Sequence, residues 1–287
     1  MGKWETIHTK FLKRALGVRS STSNNLVLNE LDRSPTWTQW LNQCVGFWNK
    51  IVIRKDDDFV KKALLENVKM AVIDKSKHCW SHGFLRCMQR LGVIERFSDI
   101  LLDNHSLPKI DLGVIDKSIS EITAIQWQNL ELLNPRKLGD DQGVGIKSVT
   151  YANWMRPLDG DSYYTSYTKL LNNRKDITCI ARLRLRAHNL NVDYNRDVPR
   201  SSRSCRCCDL VADGKRAVED EMHFILECPL YTTERKELFA KLRLESEFAD
   251  KDLQMRRVMN PTSFEGWKYL IKFINKCDEK RQIKLLI

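Results

Sequence analysis

A short run of cysteines with one histidine constrains this chain more than any other feature. Residues 204–231 read SCRCCDLVADGKRAVEDEMHFILECPLY. Within this segment Cys205 and Cys208 form a C-x2-C pair, and His223 and Cys228 form an H-x4-C pair. Thiolates and imidazoles are the ligands that tetrahedral zinc prefers, and C-x2-C lets two sulfurs of one tight turn reach the same ion. The spacing therefore predicts a site in which these four residues hold Zn2+.

Two details of the segment bear on how such a site forms. Asp213 and Gly214 suit a chain reversal between the two ligand pairs. Cys207 could replace Cys205 or Cys208 as a ligand, although the spacing favours Cys208. Because the protein supplies all four ligands, we expect a closed structural site that contributes to folding and activates no water. A buried cysteine cluster without a metal, or a redox pair, is the alternative that the pattern leaves open.

An excess of arginine precedes and enters the cysteine segment, opposed nearby only by Asp193 and Asp197. The whole chain also carries a formal net charge of +11, which favours polyanionic partners. We predict that the arginines bind phosphate groups of RNA or DNA, since a guanidinium can grip a phosphate with two hydrogen bonds. The residues in this set are Arg182, Arg184, Arg186, Arg196, Arg200, Arg203 and Arg206. The alternative is that they pair with acids such as Glu219, Asp220 and Glu221.

Apolar residues recur at helical spacing through most of the chain, which predicts a mainly α fold. We expect a helical region over residues 1–133, a linker at 134–161 rich in glycine and proline, and a basic helical domain over 162–287 that contains the zinc segment. Residues 6–16 place Ile7, Phe11 and Ala15 on one face of a helix that ends at Gly17. A helix after Pro35 carries Trp37, Trp40 and Trp48, for which core packing is the better interpretation. Residues 148–155 have the composition of a short strand.

Several segments resemble the region after the polymerase palm in non-LTR retrotransposon (LINE-type) reverse transcriptase polyproteins. The stretch IHTKFLKRALGVRSSTSNNLVLNELDRSP is similar to the thumb-like part of that family, and RLRLRAHNLNVDYNR, the cysteines and EDEMHFILECPLY are similar to its terminal zinc segment. The matches cover roughly residues 6 to 52 and 177 to 240.

The resemblance implies a helical thumb-like and connector region followed by a small CCHC zinc module flanked by helices. It also implies that the tail helps hold template RNA or target DNA, with the remainder of a reverse transcriptase ribonucleoprotein as a partner. The zinc ligands would be Cys205, Cys208, His223 and Cys228, and the basic residues before them would contact the nucleic-acid backbone.

The sequence departs from that family where a polymerase would need its metal-binding carboxylates. A palm uses paired aspartates, written [FY]-x-DD, to hold two metal ions. Here Asp56, Asp57 and Asp58 begin a lysine-rich helix and are typical of an N-terminal cap, while Phe248-Ala249-Asp250 continues into Lys251. We therefore expect no enzymatic activity from this chain. The alternative to nucleic-acid binding is a helical protein-interaction scaffold with a purely structural zinc site.

Two further expectations concern the cellular environment. No apolar run approaches the roughly 18 to 20 residues that span a bilayer, so we expect an intracellular protein without membrane association. An odd number of cysteines, nine, with uneven spacing argues against a framework of disulfides.

Overall fold

The computed structural model describes residues 3–100, 107–138, 145–157, 166–194, 198–209, 211–212, 215–244 and 250–286. The chain is mainly helical, as the sequence predicted. It forms two compact units, a larger one comprising Met1–Arg33 and Asn129–Ile287, and a smaller one comprising Ser34–Gln128. Residues 1–33 thus group with the C-terminal half of the chain, a division different from the predicted one at 134–161.

The α-helices of the described residues follow one another along both units. In chain order they are α1 (Lys3–Leu16), α2 (Asn24–Glu30), α3 (Thr36–Val52), α4 (Phe59–Val72), α5 (Trp80–Arg90), α6 (Leu112–Glu131), α7 (Ile146–Thr150), α8 (Tyr167–Leu170), α9 (Arg174–Arg184), α10 (Asn191–Tyr194), α11 (Thr232–Leu242), α12 (Lys251–Met259) and α13 (Phe264–Leu286). Two short strands, β1 (Val211–Ala212) and β2 (Lys215–Arg216), pair antiparallel. Each described helix is too short or too polar to span a membrane.

The smaller unit is built on α3, α4 and α5, whose apolar faces form one core. Val45, Trp48, Val68 and Phe84 are fully buried there. Asp58 caps α4, because its carboxylate accepts hydrogen bonds from the backbone N–H groups of Val60 and Lys61. The cap predicted from the aspartate run is therefore confirmed at Asp58.

The larger unit is organised around one buried arginine on α9. The guanidinium of Arg184 is only 1% exposed and donates to both carboxylate oxygens of Glu30, to the carbonyls of Met155 and Met259, and to the side-chain oxygen of Asn260. These partners come from α2, from the end of α12 and from the segment after α7. A buried charge is tolerated only when it is paired and hydrogen-bonded, so Arg184 fixes these elements together.

A close backbone approach positions α1 against α9. Gly17 ends α1 with a φ of +68°, and a Cβ atom built on it would lie 2.7 Å from Cγ2 of Thr178 on α9. The Arg182 Nε atom donates to the carbonyl of Gly17 across the same contact. The glycine that the sequence predicted as a helix stop is therefore also a packing requirement.

Three expectations about local structure are corrected. Residues 148–155 are helical: Ser148–Thr150 lie in α7 and Tyr151–Met155 form a π-helical turn, because burial of Val149, Tyr151 and Trp154 outweighs strand propensity. Trp48 lies in the core, whereas Trp37 and Trp40 are about half exposed.

The face of α1 that carries Ile7 and Phe11 points to solvent, and α1 packs through Leu12 and Leu16 instead.

Replacement of Gly17 by alanine should destabilise the larger unit. The change forces a side chain into a left-handed conformation, at roughly 1 kcal/mol, and also pushes it into Thr178. Gly92→Ala is the matched control, because Gly92 has a φ of +70° with no neighbouring atom within 4 Å. Thermal unfolding should show a larger loss for Gly17→Ala than for Gly92→Ala. Equal losses would mean that the contact with Thr178 imposes no constraint.

Candidate metal centre and its arginine neighbours

The four predicted ligands meet at one point of the larger unit. Ligand atoms of Cys205, Cys208, His223 and Cys228 all lie within 4.8 Å of one another, and the Cys208 Sγ atom is 3.4 Å from Nε2 of His223. Cys205, His223 and Cys228 are buried, and Cys208 is partly exposed. The four residues therefore lie close enough together to hold a metal ion.

Local backbone structure brings the two ligand pairs together. The backbone N–H of Cys205 donates a hydrogen bond to the carbonyl of Ala217, and the preceding residue, Ser204, forms a β-bridge with Val218. Strands β1 and β2 lie between the pairs, so the chain reverses where the sequence predicted, although Asp213 and Gly214 themselves lie outside the described residues. His223 begins a π-helical turn that ends at Glu227, and Cys228 follows directly.

Cys207 is buried but does not join this group of four. It forms a separate cluster with Cys205 and Glu219, whose carboxylate is already held by two hydrogen bonds from Arg281. The N–H of Cys207 donates to the Cys205 Sγ atom at 3.4 Å. The geometry thus agrees with Cys208 as the fourth ligand and gives Cys207 the role of a hydrogen-bond donor to a ligand sulfur.

Hydrogen bonds inside the cluster favour a thiolate at Cys205. Those from Cys207 and Cys228 lower the pKa of Cys205 far below its ordinary value. Burial alone would lower the pKa of His223, but the nearby Cys205 thiolate and Glu227 carboxylate raise it to about 10. A negatively charged sulfur in a buried pocket is a strong attractor for a metal cation.

A carboxylate lies behind the histidine ring. Glu227 Oε2 lies 3.7 Å from the Nδ1 atom of His223, and both oxygens of Glu227 accept hydrogen bonds from Arg136. Burial would raise the pKa of Glu227, but the neighbouring His223 and Arg136 hold it well below its ordinary value. A carboxylate in this position is a candidate outer partner for a ligating imidazole, a kind of partner that fixes ring orientation when it accepts the N–H.

The three acids that precede His223 are all buried, and each pairs with arginine. Glu219 binds Arg281 at 2.7 Å, Asp220 binds Arg136 at 3.0 Å, and Glu221 binds Arg186 at 2.9 Å. Asp220 also accepts a hydrogen bond from the backbone N–H of His223 at 2.8 Å. The acidic triplet therefore attaches the metal-binding loop to three separate parts of the larger unit.

This pairing corrects the prediction that all seven arginines bind phosphate groups. Arg184 and Arg186 are each 1% exposed and Arg200 is 6% exposed, so these three cannot reach a nucleic acid. Arg186 also bonds Asp193, and Arg200 lies 3.5 Å from Asp220. The alternative, pairing with Glu219, Asp220 and Glu221, describes this neighbourhood better, although the pairs are buried and not solvated.

Backbone geometry explains why Arg182, Arg184 and Arg186 have different surroundings. Arg182 and Arg184 are two residues apart on α9 and so point to opposite sides of the helix. Arg186 lies beyond the end of α9 with a φ of +51°, which removes it from the face of Arg182.

The other arginines of the predicted set have different surroundings. Arg203 is half-buried and donates to the carbonyls of Val192 and Val198. Arg182 and Arg206 are exposed, and Arg196 lies outside the described residues.

Sequence reasoning missed Arg136 and Arg281, which neutralise Asp220 and Glu219. Both are far from the cysteine segment in sequence. The sequence signal for such partners was the acidic run Glu219, Asp220 and Glu221, because three consecutive acids next to a buried ligand require nearby cations.

Comparisons with known proteins found no matching family model, curated protein or solved structure.

The purified protein should contain about one transition-metal ion per chain. Cys208→Ser should lose it, because the fourth ligand disappears, whereas Cys207→Ser should keep it. Metal content by mass spectrometry measures both. The ligand assignment would be contradicted if Cys207→Ser lost the metal and Cys208→Ser kept it.

Glu221→Gln should destabilise the larger unit by about 3 to 5 kcal/mol, because it removes the charge that pairs with buried Arg186. Burial would raise the pKa of Glu221, but Arg186 and His188 hold it below its ordinary value of 4.5. The stabilisation by the Glu221–Arg186 pair is therefore complete above pH 4.5, and it decreases as the pH falls through the lowered pKa of Glu221. Urea unfolding at neutral and acidic pH should show the difference from wild type shrink on acidification.

The control for this change is Glu237→Gln. Glu237 pairs with Lys272 and Lys276 at an exposed position, so its replacement should have little effect. If both variants lost a comparable free energy of unfolding, burial of the Glu221–Arg186 pair would be unimportant for stability.

Proposed function

We propose that this protein binds RNA or single-stranded DNA through phosphate contacts, and that a zinc ion in the Cys205, Cys208, His223 and Cys228 site stabilises the binding surface. The observation that carries the proposal is a basic groove in the larger unit. The groove has a volume of about 1000 Å³ and lies between the end of α1, the exposed face of α9, the segment after α9 and α13.

Cations line this groove from two places in the chain. Arg174, Lys175 and Arg182 are exposed on α9, and Arg19, which follows α1, is partly exposed. Lys175 and Arg182 are seven residues apart and so share one helical face. Arg182 belongs to the set predicted from the sequence, whereas Arg19, Arg174 and Lys175 do not. The groove therefore presents positive charge from a concave surface wide enough for a nucleic-acid backbone.

The arginines of the groove are held in place by backbone carbonyls. Arg174 donates to the carbonyl of Arg14 at 3.1 Å, Arg182 to that of Gly17 at 3.0 Å, and Arg19 to that of His188 at 2.9 Å. A guanidinium has five N–H donors, so each retains donors for a phosphate. Fixed side chains lose less conformational entropy on binding, which favours affinity.

The balance of charge in the groove supports an anionic ligand. Among the described residues that line it, Asp278 is the acid, and burial raises its pKa above the ordinary value. Arg281 also lines the groove but is committed to Glu219. Arg19, Arg174, Lys175 and Arg182 therefore outweigh the single carboxylate.

The donor set supports zinc as the metal. Three sulfurs and one imidazole nitrogen form a ligand combination that zinc takes in closed structural sites. A tetrahedron with bond lengths of about 2.0 to 2.3 Å has edges of roughly 3.3 to 3.8 Å, and the 3.4 Å separation of the Cys208 and His223 donors falls in that range. The ion would hold the loop that carries Phe224, which lines the groove.

The proposal extends to an origin in a LINE-type reverse transcriptase polyprotein. Both segments that resemble that family contribute to the groove, since α1 packs on α9 and Arg19 bonds the carbonyl of His188. We infer a nucleic-acid-holding part without polymerase activity of its own, because the sequence has no [FY]-x-DD motif.

The double variant Arg174→Gln and Arg182→Gln should weaken binding of a single-stranded oligonucleotide and flatten its salt dependence. Each phosphate contact on a single strand contributes about 0.7 to the slope of log affinity against log salt, so two lost contacts should lower the slope by roughly 1.4. Fluorescence anisotropy across a salt series measures both quantities.

The matched control is Lys236→Gln with Lys284→Gln, two exposed cations outside the groove. It removes the same net charge and should change the slope less. Wild-type binding that is independent of salt, or equal effects of the two double variants, would contradict the groove and favour a protein-interaction scaffold.

A further inference from the structure

The smaller unit exposes aromatic rings that its own core does not use. Trp40 and Phe47 lie seven residues apart on one side of α3 and are 47% and 53% exposed, and Trp80 at the start of α5 is 36% exposed. Trp40 and Phe47 are thus about 10 Å apart along the helix axis. We call Trp40, Phe47 and Trp80 the aromatic face.

Buried rings hold this face in a fixed orientation. The Trp80 ring stacks on Phe84 with centroids 5.0 Å apart and an interplanar angle of 9°, and Phe84 stacks in turn on Trp48 at 5.3 Å. Phe47 meets Trp80 edge-on at 5.9 Å. Because Phe84 and Trp48 are fully buried, the exposed part of Trp80 is the end of a rigid aromatic stack that begins in the core.

The two helices that carry the aromatic face have only positive charges. Helices α3 and α5 contain no acidic residue, and their charged side chains, Lys50, Arg86 and Arg90, are all exposed. Lys50 follows Phe47 by about one helical turn. The neighbouring acids are paired or flanked by cations: Glu66 of α4 bonds Lys69 at 2.8 Å, and Asp99 lies 3.4 Å from Arg96. Asp74, between α4 and α5, is followed by Lys75 and Lys77.

We infer that the aromatic face stacks the unpaired bases of a single-stranded nucleic acid. This inference rests on the proposed function, because it assigns a second contact to the same class of ligand. Exposed rings interleaved with cations suit bases joined by phosphates, since every base offers a flat π-face and every link offers an anion. In a duplex the bases are stacked on each other and leave no such face free, so the ligand is a single strand.

The test compares two oligonucleotides of equal charge. One is an oligothymidylate longer than the roughly 4 to 16 nucleotides that such sites cover, and the other is an abasic strand of the same length. Wild-type protein should bind the base-bearing strand about ten-fold more tightly. The double variant Trp40→Ala and Phe47→Ala should lose most of this preference while its affinity for the abasic strand stays the same.

Controls separate stacking from loss of structure. Phe59→Ala removes a ring that is 83% exposed on α4, outside the aromatic face, and should keep the preference. Trp80→Leu should reduce the preference as the double variant does, and thermal unfolding checks that each protein is folded. A double variant that keeps the wild-type preference would overturn the inference.

Other outcomes separate this inference from the proposed function. If wild-type protein binds neither strand, the proposed function fails and the inference fails with it. If it binds both strands equally with a steep salt dependence, the proposed function stands and the stacking site is wrong. If the double variant instead loses binding to phosphatidylserine vesicles, or loses self-association in sedimentation, the aromatic face serves a membrane or a second copy, and the inference is overturned.

Discussion

The larger unit depends on a set of buried ion pairs between arginines and acids. Glu30 pairs with Arg184, Glu221 with Arg186, and Asp220 with Arg136, and each acid is almost completely buried. Burying a charge costs several kcal/mol, which good geometry and further hydrogen bonds must offset. Arg184 meets this condition, since its guanidinium donates to two carboxylate oxygens and to three other oxygens. Ion pairs of this kind specify which segments meet, because a mismatched arrangement would leave a charge unpaired.

The same pairs decide where the chain's positive charge is available. A net charge of +11 indicates a polyanionic partner but not its location. Arg184, Arg186 and Arg200 pair with internal acids, whereas exposed cations line the groove around Arg174 and Arg182. An arginine-rich stretch of sequence is therefore a weak guide to a binding surface. A better guide is the number of its arginines that remain unpaired after acids elsewhere in the chain pack against it.

Sequence reasoning succeeded where the signal was local. The spacing of Cys205, Cys208, His223 and Cys228 predicted which side chains meet, and the helices from Thr36 to Arg90 followed from apolar periodicity and from the cap at Asp58. It failed where partners are remote in sequence. The pairing of Arg186 with Glu221, and of Arg136 with Asp220, depends on a tertiary arrangement that no local pattern encodes.

The exposed rings show a second limit of periodicity. A helical repeat of tryptophans identifies the side of α3 that carries them but not how much of that side a neighbouring helix covers. Trp48 is covered by α5 through Phe84, whereas Trp40, two turns earlier, is not.

The metal-binding loop and the groove are mechanically linked, which gives the site a role beyond holding its own segment. Glu219 ties the loop to Arg281 on α13, and both Arg281 and Phe224 line the groove. Asp220 fixes the backbone of His223 while it binds Arg136. A closed four-ligand site cannot activate water, but an ion held there would help set the position of these groove residues, because it would join the two ends of the loop. Loss of the ion would then loosen one wall of the groove and leave the wall formed by Arg174 and Arg182 on α9 in place, since that wall is held by hydrogen bonds to the end of α1.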